Sequence, residues 1–70
     1  MLLAKWESRG KAHYVELYQD GISYNFRGND CGGCLGSIET VEMAVAIMQR
    51  KVESGYFLPD NAILPMKRVV

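Results

Sequence analysis

Residues 12–27, AHYVELYQDGISYNFR, decide the fold. Two runs that alternate apolar and polar residues, Ala12–Gln19 and Ile22–Arg27, flank the dipeptide Asp20-Gly21. Alternation with period two is the pattern of a strand with one buried face. Asp-Gly supplies the positive φ angles of a two-residue type I′ turn, so the string predicts a hairpin. Closing it at that dipeptide pairs Gln19 with Ile22, Leu17 with Tyr24, Val15 with Phe26 and Tyr14 with Arg27. Cross-strand partners share a face. One face then carries Val15, Leu17, Ile22, Tyr24 and Phe26 and is the core side. The other carries Tyr14, Glu16, Tyr18, Ser23, Asn25 and Arg27, and faces water or a partner.

Upstream, Leu2–Glu7 alternates in the same way and predicts a first strand, joined through the polar turn Ser8-Arg9-Gly10-Lys11. Residues 1–27 therefore form a three-stranded meander. Downstream, residues 28–36 hold four glycines and both cysteines, the pattern of a loop with room for a short return strand around Cys34–Gly36. Residues 37–55 are helical. Ile38, Val41, Val45, Met48 and Val52 make one apolar stripe, widened by Ala44 and Ile47, with Glu42, Gln49 and Glu53 opposite. Ser37 is the first candidate N-cap and Thr40 the second. Glu39 and Glu42 near the start, and Arg50 and Lys51 near the end, suit the helix dipole. Gly55 is placed as the left-handed residue that stops the helix. Residues 56–70 form an arm with two prolines, in which Ala62-Ile63-Leu64 and Met66–Val70 are β-like and Pro65 points to an edge strand. Its apolar residues Ile63, Leu64, Met66, Val69 and Val70 call for burial, in this chain or in a dimer. The expected fold is α+β: a small antiparallel sheet of three to four strands with one amphipathic helix on one face.

The chain of 70 residues makes a single domain with a small core. An apolar fraction of 49% argues against disorder. A formal net charge of zero points to neither nucleic acid nor an anionic membrane as an obligatory partner, and it permits self-association. No apolar run approaches the roughly 18 residues needed to span a bilayer. The expected location is the cytoplasm, where Cys31 and Cys34 are thiols unless they bind metal.

Cys31-Gly-Gly-Cys34 is the sharpest motif, because a Cys-x-x-Cys turn presents two thiolates to one metal. Zinc takes four ligands, and this chain offers two cysteines and one histidine. His13 is the candidate third ligand, at the end of the second strand where the cysteine loop begins, and Asp30 or a second copy would complete the set. A redox reading suffers because two residues separate Cys34 from Ser37 and no βαβ pattern precedes the motif. The glycine loop lacks the Gly-x-Gly-x-x-Gly spacing and the Lys-Ser/Thr ending of phosphate loops. His13 as a general base has no nucleophile tied to it by spacing, so no enzymatic activity is expected. Trp6 is expected to pack the sheet onto the helix or the arm.

Lys51-Val-Glu-Ser-Gly55-Tyr56, with Tyr14-Val15 in a strand and a glycine-rich segment before Ser37, resembles the WGR domain family over about residues 6–57. In that family a strand meander leads through a glycine-containing loop to a helix ending in Lys-x-x-x-Gly-aromatic. The resemblance implies a nucleic-acid-linked role, contacting DNA or neighbouring domains. The Trp-Gly-Arg signature is absent, and Asn25-Phe26-Arg27-Gly28 is its only echo, so that role is not carried over. The β-β-β-α order is also similar to double-stranded-RNA-binding domains, but Glu39 and Glu42 stand where a basic cluster is needed.

The first expectation is a small non-catalytic protein-interaction module that works through Tyr14, Glu16, Tyr18, Asn25 and Arg27. Aromatics with an arginine are the residues that dominate binding energy at interfaces. Stand-alone neutral domains of this size include many phage or mobile-element accessory proteins and inhibitors, and that class is the expectation from size. The second is nucleic-acid binding through Arg27, Arg50, Lys51, Lys67 and Arg68. The third is a zinc-stabilised or redox-sensitive module built on Cys31 and Cys34.

Overall fold

The protein is described by a computed structural model that covers residues 1–29, 31–57 and 66–70. It is α+β, with strands β1 (Leu2–Ser8), β2 (Tyr14–Asp20), β3 (Ser23–Gly28), β4 (Gly32–Ser37) and β5 (Met66–Arg68), and a helix α1 (Val41–Glu53). A 3-10 turn, Arg9–Lys11, joins β1 to β2. The five strands form one antiparallel sheet in the order β4-β3-β2-β1-β5. One more strand at each edge completes the expected meander. The glycine-rich segment is itself a strand, and the end of the arm returns to β1, with Trp6 opposite Arg68 and Ser8 opposite Met66. The arm thus completes its own sheet. Met66 is buried there, whereas Val69 and Val70 are more than half exposed, because β5 ends at Arg68 and leaves them beyond the core. Ala62, Ile63, Leu64 and Pro65 lie outside the described residues.

The central hairpin closes two residues away from the expected register. Asp20 pairs with Ser23, Leu17 with Phe26 and Glu16 with Arg27, so Gly21 and Ile22 are the turn residues. Gly21 has φ 63° at the first central position, where type II′ turns prefer glycine. Because the slip is even, the side-chain faces survive it. Val15, Leu17, Tyr24 and Phe26 are buried together as expected, and only Ile22 is displaced: it sits in the turn, 82% exposed.

The core gathers Ala4, Trp6, Val15, Leu17, Tyr24, Phe26 and Met66 from the sheet and Ala44, Met48, Val52 and Phe57 from the helix side. Trp6 is fully buried, and its indole Nε1 donates to Gln49 Oε1 at 2.7 Å. Gln49 therefore faces the sheet rather than the outer side of the helix, supplying the acceptor a buried indole requires. Val41 and Val45 line the core margin, as does Ile38, which lies ahead of the helix.

The helix begins at the later candidate cap. Thr40 accepts from the backbone N–H of Met43 at 3.1 Å, whereas Ser37 ends β4. It stops in a Schellman arrangement: Gly55, at φ 78°, donates to the Val52 carbonyl, and Tyr56 N–H donates to the Lys51 carbonyl. The Lys51 ammonium lies 4.2 Å from the Tyr56 ring centroid. The Lys-x-x-x-Gly-aromatic string is thus used to terminate a helix.

Candidate functional site

The sheet face turned away from α1 carries the side chains expected to meet a partner. Alternation along β1, β2 and β3 puts Lys5, Glu7, Tyr14, Glu16, Tyr18, Asn25 and Arg27 on it, and β4 and β5 extend it with Cys34 and Lys67. Three cross-strand rows order these groups. Lys5, Glu16 and Arg27 form the middle row, with the carboxylate between two cations in register. Lys67, Glu7 and Tyr14 form the row on one side, and Tyr18, Asn25 and Cys34 the row on the other.

Within those rows the side chains hold one another. The Tyr18 hydroxyl donates to Glu16 Oε1 at 2.8 Å, and the Arg27 guanidinium lies 5.6 Å from the Tyr18 ring centroid. Lys5 Nζ is 3.6 Å from Glu7 Oε2 and 5.3 Å from the Tyr14 ring centroid. Each such cation–ring or ion-pair contact is worth at most about 1 kcal/mol at exposed sites. Their effect is to limit the rotamers of long side chains, so less conformational freedom remains to be lost on binding. In the register expected from the Asp20-Gly21 turn, Arg27 is the cross-strand partner of Tyr14. The two-residue slip places Arg27 beside Glu16 and Tyr18 instead, and Tyr14 takes Lys5 as its cation. All five expected residues, Tyr14, Glu16, Tyr18, Asn25 and Arg27, nevertheless share this face. Lys5 and Glu7 join them, because β1 pairs Lys5 with Glu16 and Glu7 with Tyr14.

A shallow depression of about 500 Å³ opens at one end, lined by Tyr18, Asn25, Arg27, Gly32, Gly33 and Met1 among others. Its floor exists because β4 contributes glycines opposite Phe26 and Arg27. Beside it, the β3–β4 connection is fastened to β2. The Asn29 amide donates to the Ala12 carbonyl at 2.8 Å, and its oxygen accepts from Tyr14 N–H at 3.1 Å. The Tyr14 carbonyl occupies the place where a side chain at Gly28 would begin, so only glycine lets the strands approach there.

The cysteines part company. Cys31 is half-buried and packs against the core margin, while Cys34 stands exposed opposite Asn25, its sulfur accepting from Gly36 N–H at 3.2 Å. Three residues of extended backbone turn side chains to opposite faces of a strand, whereas a tight Cys-x-x-Cys turn would converge them. His13 lies in the β1–β2 connection, its N–H donating to Ser8 Oγ at 3.0 Å. Among the described residues no three of His, Cys, Asp and Glu are gathered closely enough to hold a metal ion. Asp30, the expected fourth ligand, lies outside them. No helix among the described residues is long and apolar enough to cross a membrane.

Comparison with known proteins adds no relative: no protein-family model, curated protein or solved structure matches this chain. The class the structure defines is a small α+β domain whose antiparallel sheet bears a helix on one face.

Proposed function

We propose that this chain is a small, non-catalytic interaction module that docks a protein partner on the open face of its sheet. The observation that supports this reading is the clustering of Tyr14, Tyr18 and Arg27 on one face, with the Arg27, Tyr18 and Glu16 groups already in mutual contact. Tyrosine and arginine bury large, semi-rigid surfaces and hydrogen-bond at their tips, which makes them the commonest anchors of interfaces. A face that only needed solvation would require neither two tyrosines nor a guanidinium set against one of their rings. The zero net charge, and the alternation of Lys5, Glu16 and Arg27, suit a partner of mixed charge better than a phosphate backbone.

The test compares the tagged wild-type chain with a Tyr18→Ala/Arg27→Ala variant in quantitative affinity purification from cells that express the protein, at low and moderate salt. The expected result is a defined protein retained by the wild type and lost by the variant, with modest salt dependence. Retention of nucleic acid with steep loss at moderate salt would favour binding through Arg27, Arg50, Lys51, Lys67 and Arg68 instead. Equal recovery of every species by both chains would remove the open face from consideration.

A further inference from the structure

The two edges of the sheet are built differently. β5 is three residues long and carries Lys67 and Arg68, the short, charged form that natural sheets use to keep other strands from adding. β4 is six residues long and contains no charged residue and no proline. Among the described residues it is the edge that carries no such guard.

Backbone bonding at the β3–β4 hairpin shows which amides that edge offers. Gly28 N–H donates to the Cys31 carbonyl at 2.8 Å, making these two a hydrogen-bonded pair. Such pairs alternate along an antiparallel ladder. Gly33, opposite Phe26, therefore turns its N–H and carbonyl inward, while Gly32 and Cys34 turn theirs outward.

The two neighbouring glycines have different reasons to be there. At Gly33 a Cβ would lie 2.8 Å from the Phe26 ring, so any larger residue would have to displace that ring. At Gly32 a Cβ would meet nothing closer than the Phe26 carbonyl oxygen at 3.7 Å, and φ is not positive. Nothing among the described residues demands glycine at 32, although glycine in a strand costs roughly 0.5–1 kcal/mol relative to alanine. Such a glycine often marks the close approach of another backbone.

We propose that β4 is the seam of a two-fold homodimer, in which Gly32–Cys34 of two copies pair antiparallel about Gly33. In this register the outward amides of Gly32 meet those of Cys34 in the other copy, and the reverse, so each donor finds an acceptor. A second copy suits the edge because an antiparallel strand is its own complement under a two-fold axis. The absence of charge on β4 and the zero net charge of the chain leave no strong repulsion between copies. On the core side, Phe26 of each copy flanks a pair of glycines. On the open side, Arg27 is separated from its counterpart by the Gly32–Cys34 row. The register shift at Leu35 interrupts β4 just beyond the paired stretch, and the guarded β5 edge stops growth at two copies. The seam adjoins the open face, with which it shares Gly32 and Cys34, but it is held by backbone groups of β4 and not by the Tyr14, Tyr18 and Arg27 side chains.

Sedimentation velocity over a concentration series tests the proposal, with wild type beside Gly32→Lys, Tyr18→Ala and a Cys31→Ser variant spin-labelled at Cys34. The expected result is a wild-type mass rising from one chain to two. Gly32→Lys stays at one, with unchanged circular dichroism, because a Cβ at this position meets no described atom closer than 3.7 Å. Tyr18→Ala dimerises like wild type. Labels at Cys34 give one short, narrow distance, since adjacent strands lie about 4.8 Å apart. Wild type that stays monomeric throughout overturns the proposal and leaves the edge to a different protein. So does a dimer that Gly32→Lys does not weaken, or one without a short Cys34 distance. Should Gly32→Lys unfold, the label distance alone decides.

Discussion

On the helix side of the sheet Ala4, Trp6, Val15 and Leu17 are wholly buried, and Tyr24 and Phe26 nearly so. On the other side Lys5, Glu7, Tyr14, Glu16 and Tyr18, from the same strands, remain half-buried, tied by one ion pair, one hydroxyl bond and two cation–ring contacts. The strands are shared, so the difference lies in what the side chains exclude. Removing apolar surface from water yields about 25 cal/mol per Å², whereas exposed ionic contacts yield little after screening and side-chain ordering. Stability is therefore concentrated on one face, and the other is free to carry recognition.

Five substitutions test that contrast. Trp6→Ala has the largest expected effect. It removes the largest fully buried side chain and its bond to Gln49, at a cost of about 3–5 kcal/mol, comparable with the whole stability of so small a domain. Urea denaturation followed by circular dichroism should find the variant largely unfolded in buffer. A cooperative, wild-type-like transition would mean that the helix does not depend on this contact.

Gly33→Ala and Gly32→Ala set the two faces against each other at adjacent positions. The first drives a methyl into the Phe26 ring, which packs edge-on against Phe57 with centroids 5.3 Å apart, and should cost about 1–3 kcal/mol. The second meets only ordinary contact and should be neutral or stabilising by about 0.5 kcal/mol in the monomer. Opposite signs in the two denaturation midpoints are the expected outcome; equal losses would place both residues on the core side.

Thr40→Ala deletes the bond to Met43 N–H and should cost about 1 kcal/mol, with Thr40→Ser restoring most of it. If Ser37 were the effective cap, Thr40→Ala would leave the midpoint unmoved. The smallest effect belongs to the open face. Tyr18→Phe removes the hydroxyl bond to Glu16 and should change stability by under about 0.5 kcal/mol. A loss above 1 kcal/mol would show that this face is structural and would weaken the interaction reading.

Much of the fold was legible because the patterns involved are local. Period-two alternation set the faces of β2 and β3, and an even register slip could not alter them. The stripe Val41, Val45, Met48 and Val52 set the inner side of the helix, and Gly55 its end. The slip itself was not legible, since Asp20-Gly21 and Gly21-Ile22 both provide a two-residue turn with glycine, and only the pairing of the whole ladder separates them. The glycine-rich segment concealed β4 for a related reason: its strand character comes from lying beside β3, and Gly33 is accommodated there by the Phe26 ring. Of the candidate site, membership followed from alternation, while the contacts did not. Which cation meets which tyrosine depends on register.

The α+β class, the order of the first strands, the position of the helix stop and the two sheet faces are written in local sequence, because each rests on spacing within a dozen residues. Tertiary structure alone decided that Met66–Arg68 closes on β1, that Gln49 caps the Trp6 indole, and that Cys31 and Cys34 diverge. Those outcomes depend on contacts between segments distant in the chain, or on whether a short segment joins the sheet, and no local periodicity encodes either.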